Sequence, residues 1–317
     1  MARSSPSTVA LEQAPQPGRA AGRSTAWLLL VSVRPEQWTK NLLVFAGLVF
    51  ARRLGDMHSV LLATAAFAIF CGLSAAVYLV NDVWDRESDR NHPLKSARPI
   101  ASGALAPTTA LIAAGLVGSG AIGAAMTLRP AFAAAAAVYL ALLFLYSALL
   151  KHVVILDVLT IAAGFVLRAV AGAVVIAVPI SHWLLVCTTV LALFLALSKR
   201  RHELTLLAEG AAGHRPILEE YSPYLLDQMV SVVTASALIS YTLYATSQET
   251  AERLGTERLA MTIPFVLYGI FRYLYLVHRK QSGGSPSTLL LTDRPLLACV
   301  ALWIASVIVL LYSPLGH

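Results

Sequence analysis

The sequence predicts an all-α integral membrane protein, a bundle of nine transmembrane helices, and three observations carry that prediction. Of its 317 residues, 57% are hydrophobic and only 13% are charged, whereas roughly a quarter of residues are charged in soluble domains. The charges are clustered, which leaves apolar runs close to the roughly 17 to 25 residues that cross a bilayer as a helix. Those runs lack the strict alternation of a barrel strand, and a chain in lipid satisfies its backbone groups only within helices or closed barrels.

Residues 1–24 are rich in Ser, Pro, Ala, Gly and Gln without apolar periodicity, so they read as a disordered tail ahead of a membrane catalytic domain over 25–317. Ala26–Val33 is apolar but short, and Arg34-Pro35 stands where signal-peptide cleavage needs small residues, so a cleaved signal is not expected. Pro35 suits the first position of a helix, and the first span runs from it to about Ala51. Seven further runs lie at about 58–80, 106–127, 131–150, 153–178, 182–198, 224–246 and 259–277, and a last one covers about 295–313. Cys71, Cys187 and Cys299 each fall inside an apolar run without CxxC or Cys/His spacing, which implies neither a disulfide framework nor a zinc site. Long apolar faces on several helices leave room for a homo-oligomer.

Nine spans place the two termini on opposite sides of the membrane, and Lys and Arg then set the orientation. The N-terminal region, the Asn81–Gly103 loop, the turn at Lys151, the loop from Lys199 and the loop near Arg279 hold most of the 24 basic residues. The other side has only Arg52, Arg53, Arg129, Arg253 and Arg258, while Arg168 and Arg272 fall within spans. The rich side is expected to be cytoplasmic, which makes this a multi-pass protein of the cell (plasma) membrane with its active site facing the cytoplasm. The net charge of +7 belongs to these loops and does not point to nucleic acid.

The same side carries the chemistry. The stretch Asn81–Gly103, NDVWDRESDRNHPLKSARPIASG, gathers Asp82, Asp85, Glu87 and Asp89 with Arg86, Arg90, Lys95 and Arg98. With Ala76–Asn91 helical, Asn81, Asp85 and Asp89 stand at i, i+4 and i+8 on one face and Asp82 flanks them. Such a face offers hard oxygen ligands to a divalent cation, Mg²⁺ being usual where substrate phosphates supply the rest. Lys40 and Asn41 open the first span, Lys151 and Asp157 open the fifth, and Lys199-Arg200-Arg201-His202-Glu203 closes the sixth, so four segments converge.

Arg168 lies two to three turns into an apolar helix, a costly place unless it meets a polar cavity or a partner such as Asp157. Arg272 falls within a span with no polar cluster near it in sequence. The Lys199–Glu203 run is either a positive-inside anchor or a phosphate-binding element, and Glu203 within it favours phosphate. His92, His152, His202 and His214 never form HxxxH or HExxH, and Ser282–Ser285 does not match a phosphate-binding P-loop. An acidic metal site beside many cations at a membrane surface points to a phosphorylated or diphosphorylated substrate and a transfer in which diphosphate departs.

At Asn81-Asp82-x-x-Asp85-x-x-x-Asp89 the sequence resembles the NDxxDxxxD motif of the UbiA superfamily of intramembrane prenyltransferases. The resemblance covers the chain from about Arg34 onward, and Arg34-Pro35-x-Gln37-Trp38-x-Lys40-Asn41 resembles that family's first helix. It implies a nine-helix UbiA-type bundle in which Asn81, Asp85 and Asp89 bind Mg²⁺-diphosphate and Asp82 supports them. Most aromatic prenyltransferases of the superfamily carry a second acidic DxxxD motif after the sixth helix, whereas Ser198–Leu204 here reads SKRRHEL. This departure, together with His92-Pro93, Lys95, Arg98-Pro99-Ile100-Ala101-Ser102-Gly103, Lys151-His152, Arg168-Ala169-x-Ala171-Gly172 and Lys199-Arg200, is similar to the decaprenyl-phosphate phosphoribosyltransferases. The resemblance implies phosphoribosyl pyrophosphate as donor, a polyprenyl phosphate lipid as acceptor, and a product that serves cell-wall arabinan synthesis.

A donor with a 5-phosphate and a diphosphate, and an acceptor with one more phosphate, require a cation-rich site. The expected roles are Mg²⁺ on Asn81, Asp85 and Asp89, and phosphates on Lys95, Arg98, Lys151, Arg168, Lys199 and Arg200. Asp82, Asp157 and Glu203 order metal, ribose hydroxyls or cations, and Lys40, Asn41 and Tyr146 complete the substrate site. The acceptor is already an anion, so no general base is required. Two other readings stand beside this one. An aromatic prenyltransferase using the same first motif is opposed by SKRRHEL, and a non-catalytic transporter of anionic lipid would show no turnover.

Overall fold

The computed structural model describes residues 24–91, 95–208, 216–279 and 286–313. The expected disordered tail, save Ser24, lies outside the described residues, as do His92, His214 and the Ser282–Ser285 loop. Among the described residues every regular element is helical. The chain opens with α1 (Thr25–Ser32), a 3-10 segment (Pro35–Phe45), α2 (Ala46–Phe50), α3 (Met57–Trp84) and α4 (Arg86–Arg90). There follow α5 (Pro107–Leu128), α6 (Pro130–Ala148), α7 (Leu156–Val175) and α8 (His182–Ala208). The remaining α-helices are α9 (Pro223–Thr246), α10 (Gln248–Leu254), α11 (Ile263–Arg279), α12 (Pro286–Thr292) and α13 (Arg294–Tyr312), with 3-10 turns at Leu150–His152, Pro216–Glu220 and Arg258–Thr262. Eight segments are long and apolar enough to cross a membrane: α3, α5 to α9, α13, and α11 together with the 3-10 turn before it, Arg258–His278.

The ninth expected span, 35–51, is built differently from the others. It consists of the 3-10 segment followed by the single short helix α2. Its composition supplies the reason: Glu36, Gln37, Lys40 and Asn41 interrupt the apolar run, and Asn41 is buried, accepting from Arg168 and facing Cys71. Arg34 leads into it in the left-handed conformation, at φ 52° and ψ 66°, which is unfavourable for a residue with a Cβ. Gly172 of α7 fixes how closely it packs, since a Cβ there would stand 1.9 Å from the Val44 carbonyl oxygen.

Between helices in lipid the hydrophobic effect gives little drive, and small residues that let backbones approach supply the packing. The α3–α5 seam shows this. Gly118 of α5 rests on Ala76, Gly72 of α3 lies against Ala121, and Ala110, Ala114 and Ala125 are buried in the same region. At the end where α3 begins, basic residues bind carbonyl oxygens at helix ends and turns. Arg52 donates to Leu254 at 3.2 Å, Arg253 to Pro179 at 2.8 Å and Arg129 to Val174 at 3.3 Å. Arg272, isolated in sequence, meets Asp293 at the start of α13 through two bonds of 3.1 and 2.8 Å.

At its other end α3 stops at Trp84, but the helical register does not. The Asp85 N–H donates to the Asn81 carbonyl and the Asp89 N–H to the Asp85 carbonyl, each at 2.8 Å. The i, i+4, i+8 relation expected for Asn81, Asp85 and Asp89 is thus carried through the joint into α4.

Candidate active site

A cavity of about 1750 Å³ runs through the bundle. One end is charged. Arg34 and Lys40 from the segment before α2, Asn81, Asp82 and Asp85 from α3, and Lys95 and Arg98 from the loop after α4 line it there. Tyr146, Arg168, Lys199 and Glu203 add to that wall, while deeper in, Tyr241, Tyr244, Trp303, Val307 and many aliphatic residues take over. The space joins this charged end to a long apolar stretch, with Glu249 and Arg253 of α10 also on its wall, and a charged end beside apolar length fits an amphiphile. Asn41, Asp89, Lys151, Asp157 and Arg200 do not line it.

The acidic stretch is neutralised by cations from its own loop and from the chain before α2. Asp82 Oδ1 accepts from both Arg34 and Arg98, the latter at 3.2 Å. Arg98 also donates to Asp89 Oδ2 at 2.6 Å, and Lys95 stands 3.9 Å from Asp89 Oδ1. Asp82 and Asp89 are buried at 3% and 2% exposure, whereas Asp85 is half-exposed and pairs with Lys151 at 3.3 Å. The guanidinium of Arg34 further stacks over Tyr78, 5.1 Å from the ring centre.

A second cluster joins α7 to α8. Arg200, itself 1% exposed, donates to Asp157 Oδ2 at 2.7 Å, to Glu203 Oε2 at 2.5 Å and to the Tyr146 hydroxyl at 3.3 Å. The Tyr221 hydroxyl donates to the other oxygen of Asp157 at 2.8 Å and accepts from the Ile155 N–H at 2.7 Å. Burial pushes the Tyr221 hydroxyl up to about 12, so it remains a donor at any physiological pH. Lys199 lies 3.7 Å from Glu203 and faces the cavity.

Arg168 finds its partners elsewhere than Asp157. It donates to Asn41 Oδ1 at 2.8 Å, to the Gly164 carbonyl at 2.9 Å and to the Tyr139 hydroxyl at 2.6 Å. The Tyr139 hydroxyl shares a further bond of 3.1 Å with Ser74. Two nitrogens thus tie α7 to the pre-α2 segment and to α6 while the third bonds back to α7's own Gly164 carbonyl, and these bonds offset the cost of an arginine at this depth.

Among the described residues no three His, Cys, Asp or Glu side chains gather into a ready metal cluster. One atom still asks for a ligand. Asn81 Oδ1 is buried and has no hydrogen-bond partner among the described residues, one helical turn from Asp85. An unpaired amide oxygen beside Asp82 and Asp85 is a hard-oxygen donor set, and it fits Mg²⁺ completed by phosphate oxygens.

Comparisons with known proteins show the family and the fold. The model of the UbiA prenyltransferase family matches residues 41–292. The chain belongs to the UbiA prenyltransferase family. A decaprenyl-phosphate phosphoribosyltransferase of Mycolicibacterium smegmatis is 34% identical over 290 residues, 88% of this chain and 91% of the relative. One of Corynebacterium glutamicum is 32% identical over 315 residues, 98% and 93% of the two chains. A solved structure of a UbiA homolog from Archaeoglobus fulgidus bound to GPP and Mg²⁺ has a TM-score of 0.66 at 20% identity, over 89% of this chain and 99% of that one. That likeness shows the fold. With its apolar helices, this UbiA-family enzyme is a multi-pass membrane protein.

Sequence reasoning missed three side chains that the site uses. Tyr139 and Tyr221 gave no signal, being tyrosines in or beside apolar runs whose partners are 29 and 64 residues away. Arg34 was legible only as part of a motif, and its contact with Asp82 spans 48 residues.

Proposed function

We propose that this UbiA-family enzyme transfers 5-phosphoribose from phosphoribosyl pyrophosphate to a polyprenyl phosphate and releases diphosphate. The observation that carries this reading is the cation-rich end of α8, where Lys199 faces the cavity in place of a second metal-binding carboxylate cluster. The activity named for the mycobacterial and corynebacterial relatives supports it. The catalytic unit extends over residues 25–317 in the cell membrane. Its charged cavity mouth faces the cytoplasm, since the loops on that side hold most of the lysines and arginines.

Asn81, Asp85 and Asp89 would hold Mg²⁺, with Asp82 beside them. When bound, the ion supplies Lewis-acid charge neutralisation to the departing diphosphate. Lys40, Lys95, Arg98 and Lys199, which line the cavity, hold phosphate oxygens of donor and acceptor by charge-assisted hydrogen bonds. Lys151 steadies Asp85. Arg200 and Asp157 sit behind the cavity wall, so they act on substrate through Glu203 and Tyr146, which face it. Arg168 and Asn41 hold helices in place. The lipid phosphate, already ionised, attacks the anomeric carbon as the bond to diphosphate breaks, and the apolar depth of the cavity takes the prenyl chain. The product, a polyprenylphosphoryl 5-phosphoribose, feeds arabinan precursor synthesis.

Radiolabelled phosphoribosyl pyrophosphate, a polyprenyl phosphate and Mg²⁺ given to the purified protein test this directly. Metal-dependent entry of label into the lipid phase is the expected result. Consumption of a prenyl diphosphate against an aromatic acceptor, with no label transferred, would overturn it in favour of aromatic prenyl transfer.

A further inference from the structure

Asp82 is an unusual carboxylate for a metal-binding motif because its Oδ1 atom is already engaged twice. Arg34 and Arg98 converge on that one oxygen, and Arg98 reaches on to Asp89. Two guanidinium groups brought to one atom repel each other, and the Asp82 carboxylate between them offsets that repulsion. Both arginines line the cavity, with side chains 26% and 30% exposed, so each is within reach of a ligand there. Arg34 is held under backbone constraint, in the left-handed region immediately before Pro35. Strain of this kind persists where surrounding structure over-determines a position, commonly at ligand clamps. Meanwhile Asn81 Oδ1, one residue from Asp82, lacks a partner among the described residues.

We propose that Arg34 is a substrate-binding residue held in reserve by Asp82. When a diphosphate enters, Arg34 and Arg98 transfer from Asp82 and Asp89 to the diphosphate oxygens, and the released carboxylates join Asn81 and Asp85 around the metal ion. Anion and cation therefore assemble the site together: each binds weakly alone, because the arginines block the carboxylates from metal and the carboxylates block the arginines from phosphate. The exchange keeps every charge paired before and after, which a low-dielectric site at the edge of a membrane requires. It also accounts for the lack of a ready metal cluster among the described residues. The inference rests on the metal-diphosphate reading of the site, and it is independent of which lipid or sugar is transferred.

Binding of Mn²⁺, followed by its electron paramagnetic resonance signal, and of inorganic pyrophosphate, followed by calorimetry, tests it on the full chain in detergent without turnover. In the wild type each probe should strengthen the other's binding by about tenfold or more, a coupling of about 1.4 kcal/mol. Arg34→Ala should bind Mn²⁺ alone more tightly than wild type and pyrophosphate less tightly. Asp82→Asn should do the reverse, taking up pyrophosphate alone more tightly and Mn²⁺ less. A residue that merely supports the fold would weaken both ligands, and that result, or independent binding of the two probes in the wild type, overturns the proposal. If Arg34→Ala does not fold, Arg34→Lys and Asp82→Asn carry the test, with Lys expected to retain the coupling in weaker form. Loss of phosphoribosyl transfer with the coupling intact would remove the proposed donor and leave the exchange standing.

Discussion

Arg98 and Arg200 each bridge two carboxylates with bonds of similar length, Arg98 to Asp82 and Asp89, Arg200 to Asp157 and Glu203. They differ in surroundings. Arg98 is 30% exposed at the cavity mouth, while Arg200 is 1% exposed between α7 and α8. The same pair chemistry therefore serves two ends. A partly solvated pair is cheap to open and can trade its carboxylate for a phosphate, whereas a buried pair costs several kcal/mol to break because the remaining charge has no water. Charge counts alone do not distinguish them; exposure does.

The sharpest break comes on the open side. Asp85→Ala is expected to cut phosphoribosyl transfer by about 10³-fold or more, since ion-held charge stabilisation is worth several kcal/mol, with helical content by circular dichroism unchanged. Asp157→Ala attacks the closed side and is expected to act on stability first. Removing the fully buried one of Arg200's two carboxylates, with Glu203 remaining, should cost about 3 kcal/mol, read as a lower unfolding temperature in detergent, and retained stability would mean that the buried cluster is not structural. Gly172→Ala, which forces a methyl group against the Val44 carbonyl, is expected to cost about 1 to 3 kcal/mol by overpacking. Its activity loss should follow its stability loss, separating it from Asp85→Ala.

Smaller effects refine the contrast. Arg98→Lys keeps the charge but loses the planar fork that spans Asp82 and Asp89, so KM for the donor should rise by about tenfold with the unfolding temperature little changed. Tyr221 gives the mildest test, through pH. Its folded hydroxyl titrates near 12 against an ordinary value of 10.0, so the neutral form is favoured by folding. That contribution is complete below about pH 10 and is lost as pH rises towards 12. Tyr221→Phe should remove this alkaline component from the stability profile and leave the neutral-pH activity nearly intact.

Much of this was legible in the sequence. Eight of the expected spans stand as helices, because a run of apolar residues long enough to cross lipid has few alternatives to hydrogen-bonding its own backbone. The register of Asn81, Asp85 and Asp89 was legible for the same local reason. The first span was the least legible, since its polar residues interrupt the apolar run and the close approach of Val44 to Gly172 that seats the 3-10 segment joins residues far apart in sequence.

The sequence by itself determined a multi-pass helical enzyme with an acidic stretch among cations, features set by local composition and spacing. Only the tertiary structure decided what each cation does. Arg168 meets Asn41 across 127 residues and Arg200 meets Asp157 across 43, and both become buried struts, Arg168 in the cavity wall and Arg200 behind it, while Arg34, Arg98 and Lys199 stand partly exposed on the cavity. Nothing local separates these arginines. Partner and exposure depend on how helices distant in sequence are rotated and packed, and it is exposure that decides whether a charge is available to a substrate.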